Sequence, residues 1–140
     1  MKDRLKVVLD TNVLLVSISS KSKYHWIFDF LIHDKFDLFI TNEILNEYDE
    51  VISRYYDNSV SRNIINTLLI LPNVFKTDVY FNWNLIPNDF DDNKFVDCVI
   101  SSNSHLLVTN DKHFQVLNSV DFPKVKVAGV DEFEKLLNRE

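Results

Sequence analysis

Two short apolar runs that each end in a carboxylate constrain this chain more than any other feature. Val7-Val8-Leu9 runs directly into Asp10-Thr11-Asn12, and Leu106-Leu107-Val108 runs directly into Thr109-Asn110-Asp111. A strand without polar alternation must be covered on both faces, as an inner strand of a helix-flanked parallel sheet is. In open α/β sheets, ligands bind outside the carboxyl ends of the strands. Two strands that deliver acids to that edge begin a divalent-cation site.

The rest of the chain keeps the same rhythm. Residues 5–9, 36–40, 74–77, 106–109 and 125–128 read as strands. Helical spacing covers 12–19, 24–33, 41–56, 59–71, 92–103 and 130–138, with a short helix at 112–117. Thr41 is the N-cap expected for the third helix, with Glu43 and Glu47 in its first turns, and Pro72 stops the fourth. Residues 19–23 and 81–91 read as loops, the second around Pro87. Strands alternating with helices imply an α/β fold whose parallel sheet, of about five strands, carries helices on both faces. No repeat, low-complexity tract or linker interrupts residues 1–140, so one domain is expected.

Composition narrows the function. Of the 140 residues, 46% are apolar and 26% charged, the balance of a folded protein. Eleven Phe, five Tyr and two Trp predict an aromatic core. The lone cysteine, Cys98, rules out an internal disulfide framework and fits a reducing cytoplasm. The lone glycine, Gly129, leaves no glycine-rich phosphate loop, which excludes the nucleotide-cradling folds. No apolar run approaches the roughly 18–20 residues that span a bilayer. The first apolar run is broken by Asp10 and Asn12, so no signal peptide is expected and a cytoplasmic location is. A net charge of −6 argues against non-specific duplex binding. It leaves room for a nuclease whose acids crowd around a cation that offsets them.

Each acid has a plainer reading beside the functional one. Asp10 could be a helix N-cap. Asp92 could cap a helix too, but it falls near the middle of the face made by Phe95, Val96, Val99 and Ile100, where an inward carboxylate is costly unless paired or metal-bound. Asp97 lies roughly opposite that face and is expected to be solvated. Glu47 sits at the edge of the stripe formed by Ile44, Leu45, Tyr48, Val51, Ile52 and Tyr55, within reach of the top of the sheet. Asp111 could be a turn-forming residue before Lys112. Thr109 and Asn110 are suited to orienting the carboxylates. Capping explains each acid alone much better than it explains the four together.

Other candidates carry less. Cys98 reads as a buried structural thiol. His25, His33, His105 and His113 show no metal-ligand spacing. His113, beside Lys112, is in a position to meet a phosphate but reads as a surface residue, as do Lys21 and Lys23.

Four stretches resemble the PIN-domain family, and within it the subgroup described as the toxin of bacterial toxin–antitoxin pairs. They are Val8-Leu9-Asp10-Thr11-Asn12-Val13, Thr41-Asn42-Glu43-Ile44-Leu45-Asn46-Glu47-Tyr48, Asp91-Asp92-Asn93-Lys94-Phe95-Val96-Asp97 and Leu107-Val108-Thr109-Asn110-Asp111-Lys112. They stand in the family's order and span most of the chain. The resemblance implies a three-layer α/β/α sandwich and Mg²⁺- or Mn²⁺-dependent cleavage of RNA. It carries the family's acids onto Asp10, Glu47, Asp92 and Asp111, and its strand-end polar residues onto Asn12 and Thr109. Asp97 matches a further position that is often acidic. It also makes an antitoxin protein or a homodimer the expected association.

The chemistry asked of such a site is in-line hydrolysis of a phosphodiester. A hard divalent ion with carboxylate ligands suits it, with Asp10 and Asp92 as core ligands and Glu47 and Asp111 completing the set. Three other readings stand beside this one. A PIN-like module could bind RNA or a partner without cutting. A receiver-like signalling domain would need an acidic pair after the first strand and an acceptor Asp after the third. An aspartate-nucleophile phosphatase would need an acid where Asn12 stands.

Overall fold

A computed structural model describes residues 4–87 and 91–138. Five strands form one sheet: β1 (Lys6–Leu9), β2 (Asp37–Ile40), β3 (Val74–Lys76), β4 (Leu106–Val108) and β5 (Val127–Ala128). The helices are α1 (Thr11–Ser17), α2 (His25–Ile32), α3 (Asn42–Tyr55), α4 (Asn58–Ile70), α5 (Asn93–Ser102) and α6 (Val130–Asn138), with a 3-10 helix at Lys112–Ser119. Every expected element is present, most within a residue or two of its expected ends. The fold is an α/β sandwich around a central parallel sheet. Residues 81–86 of the expected loop are irregular, and 88–90 lie outside the described residues.

The strand order is β3-β2-β1-β4-β5, and all four pairings are parallel. From β1 the chain builds outward through β2 to β3, then crosses back to lay β4 on the other side of β1. The switch in direction therefore falls between β1 and β4. These are the two strands with no polar alternation, and all six of their residues from Val7–Leu9 and Leu106–Val108 are buried. Their register pairs Leu9 with Val108, so both strands end level, and the Asp10 N–H donates to the Val108 carbonyl at 3.1 Å. The edge strand β3 is mostly exposed. An edge β3 also removes the receiver-like reading, which needs the third strand next to the first, as in the order 2-1-3-4-5.

Local chemistry sets the helix starts. The Thr41 hydroxyl accepts the Ile44 N–H at 3.1 Å, as expected of its N-cap position, and Asp57 does the same for Val60 at 2.8 Å to open α4. Helix α5 ends at Asn103, whose left-handed backbone (φ 55°) Asn tolerates well. The expected aromatic core is formed by only part of the aromatic residues, since Tyr55, Tyr80, Phe81 and Phe122 are exposed. Phe36 and Phe133 meet edge to face at 5.2 Å, and Phe95 and Phe114 at 6.5 Å.

Candidate functional site

Asp10 follows β1 directly and is only 7% exposed. It occupies the N-cap position of α1, yet its side chain makes no capping bond there. Instead its Oδ2 accepts the Thr109 hydroxyl at 2.7 Å. Burial pushes the Asp10 carboxyl above the usual 3.8. The hydrogen bonds from Thr109 and the Thr11 backbone oppose that, and the charges of Asp111 and Glu47 add to it. Asp10 thus lies within reach of the charges of both Asp111 and Glu47 at the switch point.

Thr109 joins two of them. Its hydroxyl oxygen also accepts the Asp111 N–H at 3.0 Å, so one buried side chain fixes both Asp10 and the turn that carries Asp111. Asp111 is the capping residue that its plainer reading describes, accepting the His113 N–H at 2.9 Å. Capping and proximity to Asp10 coexist.

Asp92 precedes α5 and makes no capping bond to it. One of its oxygens, one oxygen of Asp111 and one ring nitrogen of His113 lie within 4.8 Å of one another. Glu47 reaches in from α3, its Oε2 accepting the Thr11 hydroxyl and its Oε1 lying 2.7 Å from Lys94 Nζ. The four acids read from the sequence are therefore neighbours in series: Glu47, Asp10, Asp111, Asp92.

The remaining expected residues divide. Asn12 lies exposed at the rim of a cavity of about 330 Å³ that reaches Asp10 and Asp111. Asn110 lines the same cavity, but its Oδ1 accepts the N–H of Val130 at 3.0 Å and starts α6. Gly129 lets it pass, since a Cβ there would stand 3.0 Å from that oxygen. Asp97 is not solvated. The segment following β3 folds over its side of α5, leaving it 5% exposed with its Oδ1 accepting the Trp83 N–H at 3.1 Å. Burial raises its carboxyl, the Trp83 bond opposes this and the charge of Glu43 adds to it. Cys98 is buried, and burial pushes its thiol up to about 12, in keeping with a structural role.

Three contributors were not singled out by sequence as parts of the site. His113 is exposed, as expected, yet close enough to share an ion with Asp92 and Asp111. Lys94 carried a signal: a cation in the first turn of a helix opposes the dipole and asks for a partner. Tyr48, counted only as apolar, is fully buried and donates its hydroxyl to the Leu9 carbonyl at 2.6 Å. That carbonyl belongs to the residue before Asp10, so Tyr48 pins the end of β1. Burial holds its phenol well above the usual 10. Tyr48→Phe should lower stability by about 1–3 kcal/mol, because the Leu9 carbonyl is left without that donor. Urea unfolding measures this; an unchanged midpoint would show that the carbonyl is satisfied without Tyr48.

The donor set fits a hard divalent ion. It offers carboxylate oxygens, one imidazole nitrogen and a crowding of negative charge that a cation relieves.

An all-parallel sandwich with carboxylates gathered at the switch between β1 and β4 defines a PIN-like α/β fold. The sequence profile of the PIN domain matches residues 6–113, and the chain belongs to the PIN-domain family. A search of curated proteins finds no match. Among solved structures, DNA-bound VapBC from Salmonella typhimurium superposes with a TM-score of 0.63 at 17% identity, covering 90% of this chain and 98% of the other. VapBC2 from Rickettsia felis, bound to a DNA fragment from the promoter, gives 0.62 at 16% identity, covering 89% and 98%. VapC20 from Mycobacterium tuberculosis, a toxin that cleaves the sarcin–ricin loop, gives 0.58 at 12% identity, covering 82% and 97%. At these identities the likeness is one of fold. Among the described residues, no helix is long and apolar enough to cross a membrane.

Proposed function

We propose that this chain is a Mg²⁺- or Mn²⁺-dependent ribonuclease that hydrolyses RNA phosphodiester bonds, and that it acts as the toxin of a toxin–antitoxin pair. The observation that carries the reading is the gathering of Asp10, Glu47, Asp92 and Asp111 at one switch point from separate parts of the chain. Membership of the PIN-domain family supports it, and so does the fold shared with a toxin that cuts RNA.

Asp10, Asp92 and Asp111 are the acids we assign to the ion, with His113 at its margin. When bound, the ion acidifies water and stabilises charge on a phosphate. Thr109 keeps Asp10 turned inward, and Tyr48 keeps the end of β1 from shifting beneath it. Glu47, held by Thr11 and Lys94, is assigned to orient the attacking water. With a net charge of −6, affinity for RNA must come from local contacts rather than a general basic surface.

Cleavage of a mixed RNA pool should require Mg²⁺ or Mn²⁺ and stop with a chelator. Cleavage that persists in chelator would sink the mechanism. Tight RNA binding without cutting under any metal would favour a binding module instead. The proposed partners are an antitoxin and a second copy of the chain. Exposed Tyr55, Leu69 and Ile70 on α3 and α4 supply apolar surface for such contacts. Light scattering should find a dimer or a hetero-complex; a monomer at every concentration, with nothing co-purifying, would count against both.

A further inference from the structure

Lys94 occupies a position that is unfavourable for a cation on two counts. It is the second residue of α5, beside the positive end of the helix dipole, where acids are favoured and ammonium groups are not. Its side chain is only 14% exposed, and that of Glu47 is 25%. A charge so withdrawn from water persists only with a partner. The partner is Glu47, with Nζ 2.7 Å from Oε1, while Nζ also lies 5.7 Å from the centre of the Phe95 ring. The other Glu47 oxygen accepts the Thr11 hydroxyl.

Both oxygens of Glu47 therefore already face donors, and one of those donors carries a full positive charge. Among the described residues, the ligand atoms that converge closely enough to share an ion are those of Asp92, Asp111 and His113; Glu47 and Asp10 both lie outside that group, and of the two only Glu47 is paired to a cation. The acidic series thus has a built-in cation at one end and converging donor atoms at the other.

We propose that Lys94 is the second cation of this site: its ammonium takes, beside Glu47, the place that a second divalent ion would fill, so the chain binds one divalent ion and uses Lys94 to hold the RNA phosphate. The assignment rests on the ribonuclease reading. An ammonium has three donors, and Glu47 takes one. Lys94 also lines two grooves that flank Glu43, one running toward Asn82 and Asp97 and the other toward Asn46 and Asp91. Acids outnumber cations in both linings; Arg54 lines the second groove but is paired to Glu50, and Lys94 is the cation common to both, the one beside Glu47 that a phosphate oxygen would meet. Holding the phosphate beside Glu47 sets it against the water that Glu47 orients.

The test counts Mn²⁺ by calorimetry and by electron paramagnetic resonance of the free ion. It compares wild type, Lys94→Ala, Lys94→Met and Lys94→Arg, each checked for folding by circular dichroism. Wild type and Lys94→Arg should bind one ion per chain, and Asp92→Asn should lose it. Lys94→Ala and Lys94→Met should admit a second ion, or bind the first about tenfold more tightly, because a like charge has been removed. Their RNA cleavage should fall in kcat more than in KM, with Arg restoring most of it. Two ions in wild type would overturn the assignment, as would unchanged stoichiometry and affinity in both neutral variants. No Mn²⁺ binding by any of the proteins would overturn the metal-site reading itself. The expected ion counts without RNA cleavage would leave Lys94 as the second cation and remove only the ribonuclease reading.

Discussion

Asp10→Asn is expected to lower RNA cleavage by at least about a hundredfold, since even residues that merely support a metal ligand cost about 10–100-fold when changed. The same change should leave the metal-free protein as stable as before, or more so. The carboxyl of Asp10 is raised by burial, and the charges of Asp111 and Glu47 add to that. Below the ordinary 3.8 both folded and unfolded chains hold the proton, and the group contributes no difference. As pH rises through that value the unfolded chain releases its proton first, so the folded state loses stability. The loss is complete above the raised value. Asparagine never ionises and escapes this loss. Urea midpoints of the metal-free wild type should therefore fall across that window, and those of Asp10→Asn should fall less. Asn also keeps an acceptor for the Thr109 hydroxyl. Asp10→Ala removes it, and so separates the role of charge from that of the hydrogen bond. Variants that cut RNA like wild type would remove Asp10 from the reaction. A drop in metal-free stability of about 1 kcal/mol or more for Asp10→Asn would make it a structural residue instead.

What the sequence made legible were the features whose causes are local. The all-apolar runs of β1 and β4 mark inner strands because nothing polar could face water, and their abrupt ends at Asp10 and Thr109 mark the sheet edge. Asp92 was legible because helical geometry alone turns it inward. Asp97 was misread for the same reason. Helical geometry puts it away from the face of α5 that Asp92 shares, and no local rule says that the segment after β3 will cover that side and offer it the Trp83 N–H. Asn110 has the chemistry to orient a carboxylate, but its partner, Val130, is twenty residues away across β5. Tyr48 looked like one more apolar residue on α3, because the carbonyl it serves belongs to a strand that the sequence keeps 39 residues distant. Residues whose roles depend on which element packs against which were the ones that sequence left open.

Packing between two helix starts explains how Asp92 and Asp111 come together, and Phe95→Ala tests it. Phe95 is 1% exposed on α5, three residues after Asp92. Phe114 is fully buried in the 3-10 helix, three residues after Asp111. Their rings meet edge to face at 6.5 Å, so one contact ties together the two segments that carry the acids. Truncating a buried Phe to Ala costs about 3–5 kcal/mol through lost burial and the cavity left behind. That is a large part of the 5–15 kcal/mol typical of a folded domain. The comparison is Leu68→Ala, a fully buried position on α4, where a loss of about 2–5 kcal/mol is expected without any acid nearby on that helix. Urea unfolding measures both losses, and Mn²⁺ calorimetry is run where both variants are still folded. Phe95→Ala should weaken Mn²⁺ binding well beyond Leu68→Ala, because it frees Asp92 and Asp111 to separate as well as loosening the core. Equal weakening by the two variants would mean that general stability, and not the Phe95–Phe114 contact, holds the acids at their spacing.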